Sequence, residues 1–519
     1  MDVVVGLDAG TTATKAVTAG VEARIRDTAS VGYPLQVPAP GRAELDARQL
    51  AAAVVGALAA VVRRATERGD RVVGVCLSAA MHGLVPMDDD GTPLGPLVTW
   101  ADARAAGRAA ALLADGRAGG LHERTGTPVH AMSPLLKLSW LRGEDPAAVT
   151  APARWGGVKE LMVAVLCGGE HVVDASCASA TGLFDLRTGR ADAEAVQLAG
   201  VRPGQLARVL PTTTVLPGLR PDVAVATGLD PGTPVVLGAA DGVLANLGVG
   251  AIRPEVAAVS LGTSGALRVV VHAPTVDPDH RLFCYGLTER SWVVGGAVNN
   301  GGSVVRWAAQ ALADPAVGPV SGQAADALDA RLLEEAAAAP VGSAGLLCLP
   351  YLLGERAPWW RSGLRGAYLG LRRDHGRPHL VRAAVEGVCQ QLALVRDAFA
   401  TAGLPVTEVR ATGGAVASAL WVQTLAAALD LPVRLADSPE GTGLGACLLG
   451  WHALGALPDL DAATALVAVG EPVEPDPAAA QHYRRLRPVV ERATAALLDV
   501  LPALDGQPDP PGHRQIDKS

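Results

Sequence analysis

Val3-Val4-Val5-Gly6-Leu7-Asp8-Ala9-Gly10-Thr11-Thr12-Ala13-Thr14-Lys15-Ala16-Val17 is the stretch on which the fold turns. A short continuous apolar run closed by an acid reads as a buried strand. The Gly-Thr-Thr that follows reads as a tight turn, and Ala13 to Val17 as the returning strand. Far downstream the pattern recurs: Val256-Ala257-Ala258-Val259-Ser260-Leu261, then Gly262-Thr263-Ser264-Gly265 and Ala266-Leu267-Arg268-Val269. Two strand–turn–strand units about half a chain apart indicate two copies of one α/β unit facing each other.

Outward from these units, strands are predicted over 71–77, 234–239, 291–294 and 409–412. Helices are predicted over 50–64, 380–402 and 419–429, and this alternation argues an α/β architecture. A chain of 519 residues is too long for one ordinary core. The boundary is expected near Gly248 to Pro254, giving a first lobe over 1–250 and a second over 251–455. Residues 456–504 read as a helical segment packed on the second lobe. Residues 505–519, rich in Pro, Gly and charge, read as a disordered tail.

Hydrophobic residues make up 49% of the chain, charged residues 18%, and the net charge is −8. With no Lys/Arg-rich run, neither a nucleic-acid nor a membrane partner is expected. The start has no basic segment ahead of an apolar one, and Ala51 to Val62 is too short to span a bilayer, so the expected location is cytoplasmic. Seven scattered cysteines without a C-x-x-C pair read as buried thiols. Among 44 Lys plus Arg only four are lysines: Lys15, Lys137, Lys159 and Lys518. In so Arg-biased a chain, an internal lysine suggests a need for a compact point charge.

Phosphoryl transfer requires donors around the phosphates, a magnesium ion and a base for the attacking hydroxyl. No G-x-x-x-x-G-K-[ST] is present, which excludes a P-loop. The first turn offers another cradle: Gly10 admits close approach of a phosphate, Thr11 and Thr12 add donors, Lys15 adds charge, and Asp8 can hold Mg2+. A structural turn would explain Gly10-Thr11-Thr12 nearly as well, but a second turn at Gly262-Thr263-Ser264-Gly265 favours the cradle, because ATP bound between two lobes could use one hairpin from each. Paired hairpins of this kind resemble the actin-like (ribonuclease H-like) fold, in which ATP and substrate lie in the cleft between two lobes. Chaperone ATPases and filament proteins share that fold, so a substrate site must decide. Ser78-Ala79-Ala80-Met81-His82 places a large apolar residue and an imidazole just past a strand. Thr99-Trp100-Ala101-Asp102-Ala103-Arg104 sets an aromatic, a carboxylate and a guanidinium at alternating positions. That combination suits a polyol or sugar acid, with a surface ion pair as the competing reading.

With these blocks, Thr125 to Pro134, Val158-Lys159-Glu160, Val298 to Gly302 and Tyr351 to Pro358, the chain resembles the FGGY carbohydrate kinase family, and within it the gluconokinases, up to about Leu501. The resemblance implies ATP and Mg2+, a small-molecule sugar acid or sugar as acceptor, and a homodimer as the candidate assembly. It implies that Asp241, in Gly238-Ala239-Ala240-Asp241-Gly242, is the catalytic base and a magnesium ligand with Asp8; as residues alone, Asp241 reads equally well as a helix N-cap. It implies phosphate contacts from Gly10, Thr11, Thr12, Lys15, Gly262 and Thr263. Adenosine and its phosphates would be held around Gly302, Arg306, Gly413, Gly414 and Ser418, although Ala415-Val416 departs from the usual block. Met81, His82, Trp100, Asp102, Arg104 and Met132 would line the acceptor pocket, and Lys159 or Arg104 would pair with the carboxylate of gluconate. Kinases for a ketopentose, a polyol or another aldonic acid remain alternatives, as does an actin-like ATPase with no small-molecule acceptor.

Overall fold

A computed structural model describes residues 1–312, 322–438 and 440–504; the expected tail at 505–519 lies outside the described residues. β1 (Asp2–Ala9), β2 (Ala13–Ala19) and β3 (Ile25–Gly32) form an antiparallel meander. α1 (Ala47–Glu67) leads to β4 (Arg71–Ala79), which pairs parallel to β1. After an excursion that includes α2 (Pro134–Glu144) and α3 (Val158–Leu166), β5 (Val215–Leu216) and β6 (Val235–Ala240) complete a six-stranded sheet ordered β5-β6-β4-β1-β2-β3. α4 (Asp241–Gly248) then leaves that sheet.

The second sheet repeats the plan. β7 (Val256–Leu261) and β8 (Gly265–Val271) form a hairpin, followed by β9 (Phe283–Thr288) and β10 (Ser291–Val298). After α5 (Gly302–Ala311) and α6 (Arg377–Thr401) come β11 (Glu408–Thr412), α7 (Ala419–Leu429) and β12 (Val433–Leu435). The order is β9-β10-β8-β7-β11-β12. Each sheet therefore has three antiparallel strands (β3-β2-β1, β10-β8-β7) continued by two parallel ones (β4-β6, β11-β12). The sequence repeat is a repeat of topology.

β1 is apolar throughout because it is covered on both faces. Val5 and Leu7 pack with Leu50, Val54, Leu58 and Val61 of α1, whose helical spacing makes one buried face. By length and composition α1 could cross a bilayer, yet that face lies on the sheet. Asp46 caps it by accepting from the Arg48 and Gln49 N–H groups.

The other face of β1 is covered from far along the chain by α8 (Gly441–Ala453). α8 lies against β1, β2 and α4 so closely that only glycine is admitted. A β-carbon at Gly6 would sit 2.2 Å from the Gly443 carbonyl oxygen, and one at Gly445 would sit 2.0 Å from the Leu244 carbonyl oxygen. α9 (Pro477–Leu504) packs on α6 and α7, where Tyr483 donates to Glu386 at 2.9 Å and Arg487 pairs with Asp397 at 2.9 Å.

Candidate active site

β1, β4 and β6 end side by side, and their last residues bring two carboxylates together. Asp8, paired in register with Ser78, accepts from its hydroxyl at 2.6 Å. Asp241 opens α4, where the helix dipole favours negative charge, and its Oδ1 accepts from the Gly242 N–H at 2.6 Å. Burial raises the pKa of Asp8, and burial followed by repulsion from Asp8 pushes that of Asp241 up to about 6. A carboxyl so placed is poised to accept a proton near neutral pH. Two mutually repelling oxygen donors also suit a hard divalent cation whose other positions are filled by phosphate and water. No cluster of three or more metal-ligating side chains occurs among the described residues.

The strand end leading to Asp241 is irregular. Gly238 has φ +74°, and a β-carbon there would lie 1.7 Å from the Leu77 carbonyl oxygen. The β4–β6 register slips between Val236 and Ala239, a bulge that frees carbonyls from the ladder. Lys159 of α3 takes them up. Its Nζ donates to Leu77 O at 2.8 Å, Leu237 O at 2.6 Å and Ala239 O at 3.2 Å, and lies 3.4 Å from Asp174. Only 1% of Lys159 is exposed. The need for a compact charge is real, but its object is the backbone: Lys159 clamps the ends of β4 and β6 and has no donor left for a substrate carboxylate. Arg104 is corrected likewise. Its guanidinium is held by Asp102 at 2.7 Å and by Glu44, while Asp102 also accepts from the Ala43 N–H at 2.8 Å. This pair fastens the 43–45 segment to the 99–104 loop instead of presenting charge to the cleft.

Between the two sheets a cavity of about 300 Å³ opens beside Asp241. Met81, His82, Trp100 and Met132 wall it from the first half of the chain. His82, at φ +64°, directs Nδ1 at the Ala180 carbonyl oxygen 2.7 Å away. A carbonyl only accepts, so Nδ1 carries the proton and Nε2 is an acceptor. Burial, with the Lys137 charge second, depresses its pKa to about 3 and keeps the ring neutral. Lys137 of α2 donates to the carbonyls of His82 at 2.6 Å and Met132 at 2.8 Å and so fixes that wall. Trp100 Nε1 donates to Thr11 Oγ1 at 2.9 Å, joining the pocket to the first hairpin.

The opposite wall carries groups that sequence reasoning did not single out as site residues: Arg268 of β8, Tyr285 of β9 and Arg356 of the loop after residue 350. Arg268 donates through Nε to Asn246 at 3.1 Å and through Nη2 to Ser260 at 2.7 Å. Its signal was a charge inside the apolar strand Gly265–Val271, all of which is buried. Arg356 lies over the Trp100 ring, 4.6 Å from its centre.

At the two hairpins expected to meet phosphates, Gly10 and Gly262 close their turns through N–H bonds to Ala13 O at 3.0 Å and Ser264 O at 2.9 Å. Thr12 follows in the first turn, and its carbonyl accepts from the Tyr33 N–H at 3.0 Å. Gly302, at the start of α5, donates to Gly262 O at 2.7 Å, and Gly301 to Thr263 O at 3.0 Å, so this helix start is docked on the second hairpin. Arg306 is spent within the protein on Asp329 at 2.5 Å and Asp326 at 2.6 Å, which offsets the charge expected of it at the phosphates. Gly413 has φ +110° and is pressed against Leu261; Gly414 begins the short turn that leads through Ser418 into α7. Lys15 of β2 pairs with Glu440, at the start of α8, at 3.3 Å.

The description "FGGY family of carbohydrate kinases" matches the chain twice, through its N-terminal domain over residues 3–248 and its C-terminal domain over 257–454. A gluconokinase of Bacillus subtilis (strain 168) is 38% identical over 485 residues, covering 93% of this chain and 94% of the relative. Among solved structures, a gluconate kinase from Lactobacillus acidophilus superimposes with a TM-score of 0.89 at 31% identity, covering 97% of this chain and 99% of that one. A ligand-bound xylulose kinase from the same organism also gives 0.89 at 31% identity, with 97% and 100% covered.

Proposed function

The chain belongs to the FGGY family of carbohydrate kinases, and from that premise we propose that it transfers the γ-phosphoryl group of ATP to the primary hydroxyl of D-gluconate, giving 6-phospho-D-gluconate and ADP. One observation carries the reading. The cavity beside Asp241 has Arg268 and Arg356 as its cationic lining and Asp241 as its anionic lining, which favours an acceptor that brings a negative charge of its own. The relatives named gluconokinase and gluconate kinase support it.

The Asp241 carboxylate takes the hydroxyl proton as that oxygen bonds to the γ-phosphorus and the bond to ADP breaks. His82 Nε2 accepts from an acceptor hydroxyl, Met81 and Met132 bound the carbon chain, and Trp100 forms one wall. Gly10, Thr11, Thr12 and Lys15 face the phosphates from one side, and Gly262 with Thr263 from the other. Gly302, Gly413, Gly414 and Ser418 shape the adenosine end. Asp8 and Asp241 are the residues that would hold Mg2+, which supplies positive charge against the phosphates. In this reading residues 1–250 carry the acceptor site and base, 251–455 bind nucleotide, and 456–504 buttress the second lobe in a cytoplasmic enzyme.

A kinase for a neutral ketopentose is the second reading, favoured by the equal structural match to the xylulose kinase. The test is ADP release by the purified protein with Mg-ATP and D-gluconate, D-xylulose, L-ribulose, glycerol or no acceptor, with Asp241→Ala alongside. Turnover that depends on gluconate and vanishes in Asp241→Ala supports the proposal. Turnover with D-xylulose alone replaces it with the second reading.

A further inference from the structure

The wall of the cleft holds a cation that the protein itself leaves incompletely bonded. Arg356 is 8% exposed, yet its Nε is buried without a hydrogen-bond partner. Its Nη2 has one bond, to Val298 O at 3.2 Å, and its Nη1 has none among the described residues. On the same cavity wall, the Tyr285 hydroxyl is likewise buried without a partner. Buried polar groups are almost always satisfied, so two orphaned donors on one cavity mark a missing acceptor. The other basic groups near the cleft are committed elsewhere. Lys159 is taken by three carbonyls and Asp174, Arg104 by Asp102 and Glu44, and Lys137 by the His82 and Met132 carbonyls.

Arg268 is the remaining competitor, and its placement differs. Two of its nitrogens are anchored on Asn246 and Ser260, and the third lies 3.8 Å from where a β-carbon on Gly242 would be, next to Asp241. It faces the reacting end. Arg356 faces Trp100, and its loop is set firmly. Glu355 accepts from the N–H groups of Asn299 at 2.6 Å and Arg356 at 2.9 Å, and the Asn300 amide donates to both Gly354 O and Glu355. Such a mount presents the guanidinium without further ordering, which is what a planar, two-oxygen anion exploits.

We propose that Arg356, assisted by the Tyr285 hydroxyl, binds the carboxylate of the acceptor and thereby selects a sugar acid over the neutral polyol of the same length. The inference rests on the gluconate reading and names the residue that confers it.

The experiment compares kcat/KM for D-gluconate with that for D-glucitol, which replaces the carboxylate by a hydroxymethyl group, in the full-length wild type, Arg356→Gln and Tyr285→Phe. Wild type that fails to use gluconate overturns the gluconate reading and this assignment with it. Where wild type prefers gluconate, Arg356→Gln should lower the gluconate-to-glucitol ratio at least about tenfold, the scale of one lost charge-assisted bond. Tyr285→Phe should lower it by a smaller factor. An equal loss for both acceptors, or a loss expressed in the KM for ATP, would place Arg356 on the transferred phosphoryl group and overturn the assignment while leaving the gluconate reading intact. Should Arg356→Gln not fold, Tyr285→Phe with an unchanged ratio, together with wild-type melting shifted equally by both acceptors, overturns it as well.

Discussion

Replacing Lys159 by Met tests whether that ammonium serves the fold or the substrate. Met fills much of the same volume but leaves the Leu77, Leu237 and Ala239 carbonyls unpaired at the bulge and Asp174 without its cation. Both partners are buried, at 1% and 0% exposed, so solvent cannot substitute. Removing one member of a buried pair costs about 3–5 kcal/mol. Unfolding entropy of about 2.1 cal/mol/K per residue gives a unit of about 250 residues roughly 0.5 kcal/mol per degree. The expected fall in Tm is therefore about 6–10 °C. Differential scanning fluorimetry of wild type and variant, paired with the KM for gluconate at a temperature where both are folded, separates the possibilities. A melting point within a degree of wild type, with a tenfold rise in the KM for gluconate, would refute the clamp and return Lys159 to the substrate.

Asp241→Asn should lower kcat by at least about 10²–10⁴, the scale of general-base catalysis, because it removes the proton acceptor and one of the two carboxylates that would hold Mg2+, while melting close to wild type; single-turnover ADP release reads the first and calorimetry the second. Since Asp241 acts deprotonated and its pKa is raised to about 6, kcat/KM for the acceptor should fall as pH drops through that value; a profile flat from pH 7.5 to 5 contradicts the assignment. Gly445→Ala would bring a methyl to 2.0 Å from the Leu244 carbonyl oxygen, so α8 and α4 must part, and a fall in Tm of several degrees or insoluble expression is expected. Arg104→Met should lower Tm and spare the gluconate-to-glucitol selectivity ratio, because its charge is closed on Asp102 and Glu44.

What the sequence disclosed follows from how local each feature is. The two hairpins were readable because strand, turn and returning strand lie within fifteen or so consecutive residues and repeat. The helices over 50–64 and 419–429 were readable as Ala/Leu-rich stretches between apolar strands. Lys159 was noticed for the right reason, as a compact cation, and given the wrong partner. Its carbonyl partners are 78 to 82 residues away, where the β4–β6 register slips around Gly238. Arg356 was visible as part of Gly354-Glu355-Arg356-Ala357, but nothing in that string tells a loop cation on the surface from one stacked on Trp100. The unmatched Nε of Arg356 is a property of the packed interior and has no sequence signature.

The crossing of α8 onto β1 bears on how the chain reaches its native state during synthesis. One face of β1 is closed by Gly443, Cys447 and Gly450, residues made more than four hundred positions after it. Until then Val4, Val17 and Cys76 present an uncovered apolar face. The N-terminal half can form its sheet early but cannot seal it, so the nascent chain carries a sticky surface through most of translation. It follows that a fragment ending at residue 250 should require a holdase or aggregate. A separately supplied piece of residues 251–504 should rescue it in trans, because that piece brings the missing cover.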